Sequence, residues 1–199
     1  MRYGIDVSEN NGNDGPIDWE DVRESGCDFV IVRSSYGLNS RDEKFLEYVN
    51  GAHEAGLQCG AYHYGYALTP QEAVQEAVNC RTAIADAGVL LELPVFYDME
   101  DADGYKARHG FDFSRENATS ICREFLNHIR LDCGIYASKS WLDDLIDWRD
   151  LGCAVWNAQW MNGENPTPDT SNDDLGGMMW QYTDKKLIAG HFYDGDIIY

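Results

Sequence analysis

The strongest constraint in this sequence is a rhythm. Short apolar runs of strand length alternate with amphipathic helical patterns, and the alternation stops before the chain does. The run at residues 3–7 precedes a helix opening at Asp18-Trp19, and the run at 29–32 precedes a helix over 42–55 whose Phe45, Leu46, Val49 and Ala52 share one stripe. The run at 58–64 leads to a helix that Thr69 and Pro70 open as N-cap and first residue and Gly88 ends. A fourth strand at 93–100 is followed by a polar loop over 101–112 and a helix from Ser114 to about Arg130. The fifth, 134–137, is followed only by a short helix at 141–146. Strands at 154–158, 178–182 and 192–198 then come with turn-rich segments such as 162–174 between them. Five βα units and three bare strands predict an α/β fold: a modified TIM-like barrel of the (β/α)5(β)3 type, one domain over residues 1–199.

Charge narrows the partners. With 15 Lys+Arg against 35 Asp+Glu the formal net charge is −20, which disfavours nucleic acid and anionic membrane surfaces. Disorder does not explain the acidity, because the chain holds 6 Trp, 12 Tyr and 7 Phe. No apolar run approaches the ~18–20 residues that span a bilayer, and Met1 to Ser8 lacks the apolar core of a signal peptide, so cytoplasmic synthesis without membrane insertion is expected. Cysteines at 27, 59, 80, 122, 133 and 153 have no close C-x-x-C spacing and read as free thiols of a reducing compartment.

Several strands end in acids, and in parallel barrels the chemistry sits at the C-terminal strand ends. Asp6 ends the first strand, Asp98 and Glu100 the fourth, and Asp194 and Asp196 lie in the last. Side chains at i and i+2 of a strand share a face, so Asp98 and Glu100 point into the barrel mouth if Phe96 points inward. Two carboxyls in one low-dielectric cleft resist joint ionisation, so one is expected to rise in pKa while the other stays charged. Glycoside hydrolysis needs such a pair: an acid for the leaving oxygen and a carboxylate facing the cationic centre. Chance is the plain alternative for a D-x-E in so acidic a chain, and Mg²⁺ or Ca²⁺ held by the acids at 6, 98, 100 and 194 is another. No phosphate-cradling glycine loop accompanies them. Aromatics cluster at the same strand ends, namely Tyr36, Tyr62, Tyr64, Tyr66, Tyr136, Trp156, Trp160, Trp180 and Tyr182, where they would either stack on sugar rings or fill the barrel.

With these residues in order along the chain, the sequence resembles the glycoside hydrolase family 25 lysozymes, the Chalaropsis-type muramidases. The resemblance is carried by Gly4-Ile5-Asp6-Val7-Ser8, Ile17-Asp18-Trp19, Asp28-Phe29-Val30-Ile31-Val32-Arg33, Gly60-Ala61-Tyr62-His63-Tyr64 and Leu93-Pro94-Val95-Phe96-Tyr97-Asp98-Met99-Glu100. It continues through Gly134-Ile135-Tyr136-Ala137-Ser138, Trp156-Asn157-Ala158, Trp180-Gln181-Tyr182 and Asp194. It implies cleavage of the β-1,4 bond between N-acetylmuramic acid and N-acetylglucosamine of bacterial peptidoglycan, with retention and without metal or cofactor. By position Glu100 would be the acid and then base, Asp98 its partner at the anomeric side, and Asp6 and Asp194 their electrostatic support. Arg33, Tyr62, Tyr64, Tyr136, Trp156 and Gln181 would line the sugar groove. The family often ends in D-x-N; here Asp194-Gly195-Asp196 adds a further acid. A monomer acting on the cell wall is expected, aided by a separate wall-binding module in some arrangements and holin-released if phage-encoded. An inactive glycan-binding barrel is the alternative. The histidines at 53, 63, 109, 128 and 191 form no H-E-x-x-H, which disfavours a zinc amidase.

Overall fold

In the computed structural model, which describes residues 1–199 and every side chain except that of Asp14, the rhythm closes on itself. The strands are β1 (Arg2–Val7), β2 (Phe29–Tyr36), β3 (Ser40–Arg41), β4 (Gln58–Tyr64), β5 (Val95–Asp98), β6 (Cys133–Ser138), β7 (Ala154–Ala158), β8 (Met179–Ile188) and β9 (His191–Ile198). The helices are α1 (Trp19–Glu24), α2 (Phe45–Glu54), α3 (Pro70–Ala87), α4 (Tyr105–Arg108), α5 (Arg115–Ile129) and α6 (Lys139–Asp144). Parallel pairing runs from β1 through β2, β4, β5, β6 and β7 to β8. The ring closes through β9, antiparallel to both β8 and β1, while β3 hangs on β2. This is the expected barrel, with an α-helix after each of β1, β2, β4, β5 and β6, and after β7 only a 3-10 turn at Thr170–Asn172.

Local chemistry places the helices. Asp18 caps α1 by accepting from the Glu20 and Asp21 amides. Thr69 and Glu72 form a reciprocal capping box at the start of α3, and Gly88 ends it at φ 65°. Strand side chains then divide by parity. Ile5, Val7, Val30, Val32 and Ile135 face outward into a core shared with Val49, Ala77, Cys80, Ile121 and Phe125 of the helices. Phe29, Ile31, Phe96, Tyr136, Trp156 and Met179 face inward and fill the barrel. Burial on both faces is why these strands read as nearly continuous apolar runs. Glycine makes the inner layers fit: a Cβ on Gly4 would stand 2.5 Å from the Phe29 ring, and one on Gly60 would stand 2.6 Å from Ile31 Cδ1.

The structure also revises several expectations. β2 runs to Tyr36 rather than ending at 32, because pairing with β4 resumes beyond a bulge at Arg33/Ser35. α2 starts at Phe45 instead of 42, since the Asp42 carboxylate faces back to take the Glu9 and Lys44 amides. α6 starts and ends two residues early, capped by Ser138. The loop over 101–112 contains the single turn α4, held by Asp101, which accepts from the Lys106 and Ala107 amides. Trp180 and Tyr182 do not reach the mouth. They form a small outer cluster with Ile197, packed by Met161 where a helix would otherwise lie.

Candidate active site

The inward parity of the strands brings a set of polar residues to the barrel mouth. All ten residues singled out above, Asp6, Arg33, Tyr62, Tyr64, Asp98, Glu100, Tyr136, Trp156, Gln181 and Asp194, line one cleft of about 420 Å³. Ser8, Asn10, Asn11, Ala102 and Trp160 complete its wall. Asp98 is the last residue of β5 and Glu100 lies beyond it, yet the Met99 amide still donates to the Tyr136 carbonyl at 2.9 Å. The alternation therefore persists long enough to place both acids in the cleft. Asp194 arrives by a different route. β9 is antiparallel and sets Asp194 opposite Asp6, so here the mouth is reached from the first half of the strand rather than from its C-terminal end.

A chain of hydrogen bonds orders one wall. Tyr136 Oη and Trp160 Nε1 both donate to Gln181 Oε1 at 2.9 Å, and Gln181 Nε2 donates to Asp6 Oδ2 at 2.7 Å. The amide of Gln181 is thereby fixed in orientation, with its donor aimed at the carboxylate. Trp156 packs edge-on against Tyr62, Phe96 and Tyr136, and its indole N–H donates to Asp196 at 2.9 Å. Arg33 lines the cleft, but its guanidinium is engaged: Nε donates to Asp42 at 2.8 Å and another nitrogen to Glu9 at 3.1 Å. It also lies over the Tyr36 ring, 4.9 Å from the centroid.

Beneath the acids lies a buried cation that sequence reading missed. Lys106 Nζ donates to the Glu100 carbonyl at 2.6 Å and to the Gly65 carbonyl, tying the segments after β4 and β5 together. Glu76 on α3 shares this interior, accepting from the Tyr66 amide and the Tyr97 hydroxyl at 2.7 Å each. A lysine in a polar loop and a glutamate on a helix ordinarily read as solvated. The only sequence hint is that Glu76 falls beside the buried line Ala73, Ala77, Cys80 of α3.

Burial sets the proton affinities of the cleft. It raises Glu100 to about 7; Lys106 opposes the rise, while Asp6, Asp103 and Asp101 add to it. Burial raises Asp194 to about 8, with Asp6, Asp184 and Glu100 contributing. Asp6 reaches only about 6, because hydrogen bonds from Gln181 and Asp196 offset its burial. Asp98 is pushed well above the ordinary range by burial and then by Glu100, against Lys106 and Arg33. The rise thus falls on Asp98 as well as on Glu100, where a single raised carboxyl was expected. Asp98 is the more deeply enclosed, and its Oδ1 has no hydrogen-bond partner among the described residues. Such a cleft holds protons near neutrality and presents them to a bound oxygen.

Among the described residues, the cluster with metal-ligand spacing is His53, Cys59 and Glu92. It sits at the opposite end of β4 from the cleft, and Glu92 Oε2 there already accepts the Cys59 amide at 2.9 Å and lies 3.2 Å from His53 Nε2. Among the described residues no helix is long and apolar enough to cross a membrane.

Comparison with known proteins gives concordant results. A sequence profile described as Glycosyl hydrolases family 25 matches residues 5–191. "Lysozyme M1" of Streptomyces globisporus is 36% identical over 205 residues, covering 98% of this chain and 65% of that protein. "Autolytic lysozyme" of Clostridium acetobutylicum is 24% identical over 190 residues, covering 94% of this chain and 52% of that protein. The chain thus spans about half to two thirds of the curated relatives it matches. Among solved structures, the modular autolysin LytC of Streptococcus pneumoniae, in complex with a synthetic peptidoglycan ligand, superposes with a TM-score of 0.81 at 22% identity, covering 100% of this chain and 46% of that one. A bacterial lysozyme of Streptomyces coelicolor gives 0.71 at 22% identity, covering 99% and 91%.

Proposed function

The chain belongs to glycosyl hydrolases family 25, and we propose that it is an N-acetylmuramidase, cleaving the β-1,4 bond between N-acetylmuramic acid and N-acetylglucosamine in peptidoglycan. The observation that carries this reading is the convergence of Asp6, Asp98, Glu100 and Asp194 on one aromatic-walled cleft. Glu100, raised to about 7 by burial, is the proton donor to the bridging oxygen. Asp98 faces the anomeric side. There the acetamido N–H of a bound sugar favours its carboxylate form, any proton it holds passing to solvent water as the substrate binds, and the positive charge growing at the anomeric carbon then stabilises that carboxylate. In that form it steadies either a direct glycosyl intermediate or attack by the sugar's own acetamido oxygen, and both routes retain configuration. Once the leaving sugar departs, Glu100 takes a proton from the incoming water and is restored. Asp6 supplies negative potential from the β1–β9 side, Asp194, which keeps its proton up to about 8, supplies hydrogen-bonding support, and Tyr62, Tyr64, Tyr136 and Trp156 offer ring faces and edges to the sugars.

Residues 1–199 act in this reading as one catalytic domain and a monomer, working on the cell wall without metal or cofactor. The names of the relatives, an autolytic lysozyme and a modular autolysin among them, support wall action and accommodate a separate binding module. The test compares wild type with Glu100→Gln and Asp98→Asn on purified peptidoglycan by release of new reducing ends. General acid catalysis supplies roughly 10²–10⁴-fold, so Glu100→Gln should lose that much, and Asp98→Asn, which removes charge stabilisation at the anomeric side, roughly 10²–10³-fold. Undiminished turnover by Glu100→Gln would remove it from the role of acid. Wall binding without turnover by the wild type would instead mark a glycan-binding barrel.

A further inference from the structure

Asp196 lies on β9 behind the cleft wall, fully buried, opposite Gly4 of β1 and Gln181 of β8. Its Oδ1 accepts the Trp156 indole N–H at 2.9 Å. Its Oδ2 is buried without a hydrogen-bond donor among the described residues. Asp6, whose Oδ2 takes the Gln181 amide at 2.7 Å, is the diagonal neighbour of Asp196 on the same face, two residues along β1 from Gly4, placed for a side-chain hydrogen bond between the two carboxyls. Two carboxylate oxygens are both acceptors, so such a bond exists only if one of them carries a proton. The charged groups that face Asp196 are Asp6 from β1 and Asp194 from β9, while β7 and β8 contribute the neutral Trp156 and Gln181, with the Tyr182 phenol nearby. No cation stands among these neighbours. An ionised Asp196 would bury a bare charge, leave Oδ2 unsatisfied and oppose a second carboxylate.

We infer that Asp196 is held as a neutral carboxylic acid whose O–H donates to the Asp6 carboxylate, making it a positioning residue for both Asp6 and Trp156. The proton converts the orphaned Oδ2 from an unmet acceptor into a donor. Together with Gln181 Nε2 it gives Asp6 two donors, which favour the anion and fix its orientation in the cleft. The inference deepens the reading of the cleft as a hydrolytic site but does not depend on the substrate.

Asp196→Asn is the decisive substitution, because an asparagine presents the same pattern, an N–H toward Asp6 and an oxygen toward Trp156, with no proton to lose. Asp196→Ala removes both. Loss of a hydrogen bond to a charged group should lower kcat/KM on peptidoglycan roughly tenfold or more in Asp196→Ala, with most of it restored in Asp196→Asn. Infrared difference spectra of wild type against Asp196→Asn at pH 7 should show a protonated-carboxyl C=O band belonging to the wild type. The pH dependence of stability adds an independent sign. Burial holds Asp196 above the ordinary 3.8, so the wild type loses stability relative to Asp196→Asn as pH rises from about 4 toward 8. An asparagine variant as impaired as the alanine variant, no protonated band, or a stability difference that does not grow with pH would each overturn the inference. If Asp196→Ala does not fold, the spectrum and the stability series of Asp196→Asn decide. If wild type releases no reducing ends, the muramidase reading fails while these two measurements still judge Asp196.

Discussion

Replacing Lys106 with methionine isolates what one buried cation contributes beneath the cleft. Lys106 is 1% exposed, and the acids facing it are Glu76 from α3, Asp98 from β5, and Glu100 and Asp101 from the segment that follows. Methionine keeps the length and apolar stem, but it leaves the Glu100 and Gly65 carbonyls without a donor and removes a positive charge that acts on Glu76. Leaving a buried acceptor without its donor costs ~1–3 kcal/mol, so stranding two carbonyls costs ~2–6 kcal/mol. Glu76 keeps the Tyr66 and Tyr97 donors at 2.7 Å and has His63 Nε2 at 3.9 Å, so the lower end is expected. For a chain of this size, where 1 kcal/mol shifts Tm by about 2–4 °C, a loss of about 3 kcal/mol lowers Tm by about 6–12 °C. Calorimetry at pH 7 reads this directly. The double variant with Glu76→Gln should lose less than the sum of the two single variants, because no charge is then stranded. Activity gives the second readout. Lys106 restrains the rise of Glu100, so without it Glu100 climbs above about 7 and the alkaline limb of kcat/KM moves to higher pH. A Tm change under about 2 °C, or a limb that moves to lower pH, would refute the placement of a charged Lys106 under the acids.

In the wild type, kcat/KM should fall as pH rises through about 7, where Glu100 loses the proton it must donate, and also as pH drops below about 6, where Asp6 becomes neutral. A flat profile from pH 5 to 9 would contradict this. Gly4→Ala places a methyl 2.5 Å from the Phe29 ring inside the barrel, where overpacking costs ~1–3 kcal/mol; thermal unfolding should show a lower Tm, and an unchanged Tm would mean the inner layer yields freely. The net charge of −20 should hold the protein off walls rich in anionic polymers, so wall clearing measured by turbidity should speed up as salt rises from ~10 mM toward ~150 mM. A steady decline over that range would remove repulsion as the limiting factor.

The barrel was legible because β2, β4 and β5 are buried on both faces and therefore announce themselves as apolar runs. Asp98 and Glu100 were legible because strand parity is a two-residue rule that needs no tertiary information. What stayed hidden depends on contacts between distant residues. Asp42 looked like the start of a helix, but its carboxylate serves Glu9, Lys44 and Arg33. Lys106 sits in a polar segment, and only the fold places it under Glu100. Trp180 and Tyr182 follow the mouth aromatics in sequence, yet the same parity that turns Gln181 inward turns them out. The balance between Asp98 and Glu100 was also unreadable, because it depends on how deeply each is enclosed.

Bond specificity tests the central claim most directly. Purified peptidoglycan is digested to completion, the new ends are reduced with borohydride, and the soluble muropeptides are identified by mass spectrometry. Muramidase action leaves muramic acid at the new reducing ends, so the products should carry muramitol and should be lost in Glu100→Gln. Products ending in glucosaminitol, or solubilised peptides with no new reducing sugar, would show that a different bond is cut and would contradict the roles assigned to Asp98 and Glu100.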